Sequence, residues 1–219
     1  MLNYPGIFKV EDFLVEPKEL FGEFEKYSHD HNFINFIKDK SDWTGLCVFD
    51  GDGRRTGNKK NLLKEFPALK GLTKKIGIKN IHTVWFLNLT SGARLHSHRD
   101  TFGNLLFGMM RVHIPIKSNP SCTLTIQNKD IFLPLGEVWS LDTSALHGAQ
   151  NNSKEDRIHI VIDVKKSKET KKFFPELNLV TWLHIINFSC FVLPIKMLRG
   201  LLTQPKSLVR KVFKKQFDS

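Results

Sequence analysis

The sequence predicts a mainly β protein, an antiparallel sandwich or barrel with flanking helices, and three observations carry that reading. From Lys79 onward, six short runs have strand-like patterning, at 82–89, 109–116, 122–127, 130–135, 137–142 and 156–164. Turn-rich segments (TSG, KSNPS, QNKD, LGE and NNSKED) separate them. The spacing suits antiparallel neighbours rather than alternating βα units.

The stretch before the strands reads as cover. Phe13, Leu14, Leu20, Phe21 and Phe24, then Phe33, Ile34 and Ile37, recur at near-helical spacing and predict one or two amphipathic helices within residues 7–40. A short strand is expected at 43–49, followed by a turn at Asp50 to Gly53. The DGDG segment lacks the later ligands and the closing glutamate of a calcium loop, so the turn is preferred. Residues 59–75 predict a basic-faced helix, broken at Pro67 and stopped at Gly71.

Alternation within two of the strands separates an apolar face from a polar one. Arg157, His159 and Val161 alternate with Ile158, Ile160 and Ile162, and Arg111 and His113 alternate with Met110, Val112 and Ile114. Two such strands can line one pocket.

With 219 residues, 41% of them hydrophobic, the chain can bury one substantial core. Cys47, Cys122 and Cys190 are odd in number and lack CxxC spacing, which argues against a disulfide framework or a cysteine zinc site. The opening MLNYPGIFKVEDF lacks a basic start and an apolar run, so the expected compartment is the cytoplasm. The net charge of +11 is concentrated late in the chain. Residues 165–219 hold 12 Lys/Arg against 3 Asp/Glu, whereas residues 1–164 hold 21 against 19. No stacking platform accompanies these cations, so no nucleic-acid partner is expected.

The candidate chemistry lies between Gly92 and Val164, which contains histidines 96, 98, 113, 147 and 159. His98 and Asp100 are two apart on an extended segment, so they project to one side and can chelate one ion. His147 would complete the set from far along the chain. Two histidines and one carboxylate, with open positions remaining, commonly hold ferrous iron where oxygen is activated. His96 competes with His98, but only His98 has the HxD partner. Arg157 lies in an apolar strand, where a buried guanidinium needs a partner: either a bound carboxylate or a protein carboxylate such as Asp142 or Asp163. His159 either faces the pocket beside Arg157 or is a core histidine with a satisfied hydrogen bond. Asp142 and Thr143 read as turn caps, Asn151 and Asn152 as turn residues, and Trp85 and Trp139 as barrel packing.

The segments SGARLHSHRD, RVHIPI and LGEVWSLDTSALHGAQNNSKEDRIHIVID resemble the aspartyl/asparaginyl β-hydroxylase family of Fe(II)- and 2-oxoglutarate-dependent dioxygenases, with the pattern of bacterial proline hydroxylase-like members. The resemblance covers roughly residues 80–165. It implies a double-stranded β-helix, the cupin-like jelly roll. It further implies that His98, Asp100 and His147 bind Fe(II), that Arg157 holds the distal carboxylate of 2-oxoglutarate, and that Arg111 and His113 lie near the cosubstrate or substrate carboxylate. The implied reaction consumes O2 and hydroxylates an amino acid, a peptidyl residue or a similar small carboxylate. Two alternatives remain, a hydroxylase of a membrane-lipid acyl chain and a non-enzymatic cupin-like metal- or ligand-binding protein.

The expected organisation is a jelly-roll dioxygenase domain at 1–178 with an N-terminal helical cover, and an apolar, basic helical extension at 179–219. Residues 178–195 contain no Lys, Arg, Asp or Glu, but His184, Asn187, Ser189 and Pro194 interrupt them. A buried helix or an interfacial segment is expected rather than a full span. Residues 205–217 set Leu208, Val209, Val212, Phe213 and Phe217 on one face, with Lys206, Arg210, Lys211, Lys214 and Lys215 around them. This basic amphipathic pattern suits peripheral contact with an anionic membrane, a partner groove, or packing on the barrel with a solvated basic face.

Overall fold

In a computed structural model, the structure describes residues 4–11, 13–31, 33–37 and 40–203, and the amphipathic segment predicted at 205–217 lies outside them. The chain forms two compact units, one spanning Pro5–Pro175 and the other containing Glu176 onward together with Tyr4.

In the first unit the elements run β1 (Ile7–Lys9), α1 (Pro17–Ser28), β2 (Ile34–Ile37), β3 (Lys40–Asp50), β4 (Lys60–Asn61) and α2 (Pro67–Ile76). Then come β5 (Ile81–Leu89), β6 (Arg94–His98), β7 (Met109–Lys117), β8 (Cys122–Ile126), β9 (Lys129–Phe132), β10 (Trp139–Leu141), β11 (His147–Asn151) and β12 (Arg157–Lys165). One antiparallel sheet has the order β1-β10-β7-β12-β5-β3-β2, with β4 paired to β3; the other has the order β6-β11-β8-β9. From β5 to β12 the chain passes back and forth between the sheets, which is the winding of a jelly roll.

Side chains of both sheets meet in one core, with Leu89 and Leu141 from the larger sheet against Leu124, Ile126 and Ala149 from the smaller. The opposite face of the larger sheet is covered as well. Phe86 of β5 sits 5.2 Å from the Phe24 ring of α1 and 5.5 Å from the Phe66 ring at the start of α2. Ile160 pairs with Phe86 in register, so the isoleucine face of β12 lies under the helices while the Arg157/His159 face turns to the interior between the sheets.

The structure departs from the sequence expectations in several places. Of the one or two helices expected within residues 7–40, the described residues form one, α1, while Phe33, Ile34 and Ile37, read there as helical, belong to the edge of the sheet around β2. The helix expected over 59–75 begins only at Pro67, a residue whose fixed φ suits a first helical turn. It runs through Gly71 and ends at Gly77, which adopts φ +100° and closes the last turn with hydrogen bonds to Thr73 and Lys74 carbonyls. The six expected strands and the one at 43–49 are all present; β1, β2 and β4 are additional, as are β6 and β11. Their polar sequences, RLHSH and HGAQN, carry too little apolar alternation to announce a strand.

Asn151 ends β11 as a fully buried hub and not as a simple turn residue. Its amide donates to the Leu89, Thr90 and Glu155 carbonyls, and its Oδ1 accepts from the Ser153 amide and hydroxyl.

In the second unit, α3 (Leu179–Asn187) is capped by the Asn178 side chain, passes through a π-helical turn at Phe188–Val192 and continues as α4 (Leu193–Thr203). Pro194 accounts for the π-turn, since it cannot donate to the carbonyl four residues back and its ring would strike it. Residues Leu179–Arg199 are long and apolar enough to cross a membrane by length and composition. The expectation of a buried helix is corrected: between 179 and 199 only Thr181 and Phe188 are buried.

Replacing Asn151 by Ala would strip a donor from three carbonyls at once. A loss of roughly 2–4 kcal/mol in unfolding free energy is expected from urea titration, and an unchanged midpoint would contradict the role assigned to this side chain.

Candidate metal and anion site

The two polar strands that sequence patterning missed hold the histidines. β6 and β11 pair antiparallel with His98 opposite His147, and their ring centroids lie 4.4 Å apart. The pairing is irregular between His147 and Ala149, and the approach there is close. A Cβ on Gly148 would stand 2.7 Å from the Leu95 carbonyl oxygen, so only glycine fits without moving the backbone.

Asp100 joins them through the loop after β6. Its amide donates to the Thr143 carbonyl, which ties this loop to the one leading into β11. Asp142, fully buried, reinforces the tie by accepting from the amides of Leu105 and Ser144 and from the Ser144 hydroxyl. The expected turn cap at Asp142 thus also joins two loops. The outcome is one cluster: the ligand atoms of His98, Asp100 and His147 all lie within 4.8 Å of one another. His96 is not part of it.

Hydrogen bonds set the tautomers of both histidines. His98 Nδ1 lies 2.9 Å from the His96 carbonyl oxygen, and His147 Nδ1 lies 2.9 Å from that of Ala145. A carbonyl can only accept, so each Nδ1 carries the proton and each Nε2 presents its lone pair. Burial, partly opposed by Asp100 and assisted by His98, lowers the His147 pKa to about 4, which keeps this nitrogen unprotonated at neutral pH. Two imidazole nitrogens and one carboxyl group form a donor set that fits a divalent transition metal and leaves positions open.

Arg111 is committed to carboxylates. Its Nε and Nη2 donate to the two oxygens of Asp163, at 2.8 and 3.2 Å, and its Nη1 donates to Asp100 Oδ2 at 3.2 Å. Asp163 also accepts from the Thr83 hydroxyl, with Arg55 3.7 Å away. Burial opposes the charge of Arg111, but Asp163 and Asp100 outweigh it and raise its pKa. Burial likewise opposes the charge of Asp163, and Arg111 overcomes it, so the Asp163 pKa is lowered. The guanidinium thus holds one oxygen of Asp100 and leaves Oδ1 turned toward His98 Nε2, 3.7 Å away.

Arg157 is the opposite case. Neither Asp142 nor Asp163 pairs with it; its partners are the ring nitrogens of His159, at 3.0 and 2.9 Å. A neutral imidazole accepts at one nitrogen only, so most of the five guanidinium donors face the pocket without an acceptor. Burial lowers the Arg157 pKa to about 10, with no carboxylate among the described residues to restore it. Beside it, both ring nitrogens of buried His113 lack any hydrogen-bond partner. Arg157, His159 and His113 line the same pocket as His98, His147 and Arg111, with apolar walls that include Trp43 and Leu124. A buried cation with no carboxylate partner and an orphan imidazole beside the His98–Asp100–His147 cluster form a donor set of the kind that suits a small anion next to a metal.

Comparison with known proteins bears on the family and the fold. The sequence model of the family described as aspartyl/asparaginyl beta-hydroxylase matches residues 12–167. An L-proline cis-4-hydroxylase of Rhizobium meliloti (strain 1021) is 33% identical over 63 residues, which is 29% of this chain and only 22% of that enzyme. Two solved structures share the fold at 10% identity. The non-heme α-ketoglutarate-dependent epimerase SnoN of nogalamycin biosynthesis has a TM-score of 0.55, covering 74% of this chain and 77% of its own. HygX of Streptomyces hygroscopicus, crystallised with nickel and 2-oxoglutarate, has a TM-score of 0.51, covering 75% and 84%.

Burial pushes His113 and His159 well below the ordinary imidazole range, and Arg157 adds to the effect on both. The unfolded chain takes up protons at these histidines near pH 6.5, whereas the folded metal-free protein does not, so stability is fully present above that value and falls as pH falls. Chemical denaturation of the metal-free protein should show a loss of roughly 1 kcal/mol for each of His113, His147 and His159 between about pH 7.5 and 5.5. His113→Gln should remove about a third of that loss, and a flat profile across the window would contradict the assignment.

Proposed function

The chain belongs to the aspartyl/asparaginyl β-hydroxylase family, and on that premise we propose that it is an Fe(II)- and 2-oxoglutarate-dependent dioxygenase that hydroxylates an amino acid, a peptidyl residue or a similar small carboxylate. The observation that carries this reading is the buried, carboxylate-free guanidinium of Arg157 in the pocket of the His98–Asp100–His147 cluster. A structural metal would need no such cation. A dicarboxylate that binds the metal at one end does.

Bound iron and 2-oxoglutarate supply the oxygen activation, in which 2-oxoglutarate and O2 yield succinate, carbon dioxide and one oxygen atom for a substrate C–H bond. The chain supplies position. His98 and His147 offer Nε2, Asp100 offers Oδ1, and Arg157 receives the distal carboxylate of the cosubstrate. His113 has both ring nitrogens available for a further carboxylate oxygen or a bound water. Arg111 lines the same pocket, and three of its five donors hold Asp163 and Asp100, which leaves two for the cosubstrate or substrate carboxylate expected beside it. The apolar walls around Trp43 and Leu124 keep the reacting region poor in water.

A second reading, hydroxylation of a membrane-lipid acyl chain, is favoured by the exposed apolar helix at Leu179–Arg199. It uses the same site and differs in what enters it.

The test is turnover by the full chain with Fe(II), ascorbate, 2-oxoglutarate and O2, against free proline, other amino acids, peptides and phospholipids. Succinate release that rises with one substrate class, together with a product heavier by one oxygen atom, is expected. Loss of both in His147→Ala is expected as well. Properly folded protein that holds iron but forms no succinate with any class would refute the oxygenase reading.

A further inference from the structure

The helix from Leu179 onward keeps an apolar stripe in water over its whole length. Leu179 is 69% exposed, Trp182 51%, Ile186 49%, Phe191 62%, Ile195 54% and Leu198 59%. Up to the π-turn the exposed positions 179, 182, 183, 186 and 190 follow α-helical spacing. Beyond it, 191, 195 and 198 keep the same spacing but stand one residue out of step. A π-turn takes up about one extra residue, and the turn at Phe188–Val192 lies at the break. It therefore brings both halves of the stripe onto one face, while Thr181, Ile185, Phe188, Val192 and Lys196 fall on the opposite, buried or half-buried face.

An apolar surface of this extent marks a partner, and charge decides which. The stripe contains no charged residue between 178 and 195, and residues 165–219 carry 12 Lys/Arg against 3 Asp/Glu. A second copy would bring a like-charged surplus against its own; an anionic lipid surface would not. His184, Asn187, Ser189 and Pro194 interrupt the apolar run, which fits a helix lying in the plane of the interface rather than one crossing it.

We propose that the helix Leu179–Arg199 lies in the headgroup–acyl boundary of an anionic bilayer, with Trp182, Ile186, Phe191 and Ile195 inserted among the acyl chains. Arg199, exposed near the end of this helix, contacts the headgroups. This holds whatever substrate the jelly roll takes.

The test is flotation of the full chain with vesicles of phosphatidylcholine alone or mixed equally with phosphatidylglycerol. The wild type and an exposed control elsewhere, Leu14→Asp, should float with the anionic vesicles. The bound fraction should fall at least about tenfold in the double variant Ile186→Asp/Phe191→Asp. Both positions are exposed, so an unchanged circular dichroism spectrum and unfolding midpoint are expected for that variant. Independently, anionic vesicles should shift tryptophan emission to the blue in the wild type but not in Trp182→Phe. Flotation of the double variant equal to wild type would reduce the contact to electrostatics and overturn the proposal. So would failure of the wild type to float, including a dimer seen by light scattering that closes the stripe, or retention after alkaline extraction, which would mean a spanning helix.

Discussion

The register of β6 against β11 is the constraint on which the site depends. It sets His98 opposite His147, and everything else in the cluster follows from holding that pair. The register is guarded by a position that admits no side chain, Gly148, and by two loops tied together through Asp142 and Thr143. Backbone carbonyls at His96 and Ala145 then fix which nitrogen of each ring is offered. The site is built from backbone geometry, which does not titrate and moves little.

Charge is arranged around that geometry in two unlike ways. On one side, Arg111 is balanced by Asp163 and Asp100 and fixes the orientation of the Asp100 carboxylate. On the other, Arg157 is buried without an acid and is held only by His159. One arginine buried with two carboxylates and another with none is the contrast that supports the proposal of Arg157 as the partner of a ligand. The cost of that burial is borne by a large core, in which both faces of β12 are covered, one by the smaller sheet and one by the helices around Phe24 and Phe66.

Much of this was legible in the sequence, for identifiable reasons. Donor chemistry lives in residue identity, so His98, Asp100 and His147 could be picked out without coordinates. The arginine in an apolar strand announced its own burial. The partner of that arginine was not legible. Asp163 lies on the same face of the same strand, six residues along, which puts it about 20 Å away in an extended chain, whereas Arg111 sits directly opposite it in register. Cross-strand neighbours decide such pairings, and one chain read in order does not show them. β6 and β11 escaped notice because ligand and solvent-facing residues replace the apolar alternation that marks a strand. Asn151 escaped because an asparagine in a turn and an asparagine satisfying three carbonyls look alike in sequence. The helix expected near Phe33 failed because apolar spacing over so short a stretch also fits a sheet edge.

The central claim is that the triad and Arg157 bind the two ends of one molecule. Anaerobic titration of the purified chain with Fe(II) and 2-oxoglutarate, following the visible charge-transfer band of the chelate, tests it most directly. The account predicts a saturable band in the wild type, no band in His98→Ala, and in Arg157→Gln the same band at a 2-oxoglutarate concentration roughly 10–100-fold higher. A wild-type protein that binds iron and shows no band, or an Arg157→Gln variant that titrates like the wild type, would contradict it.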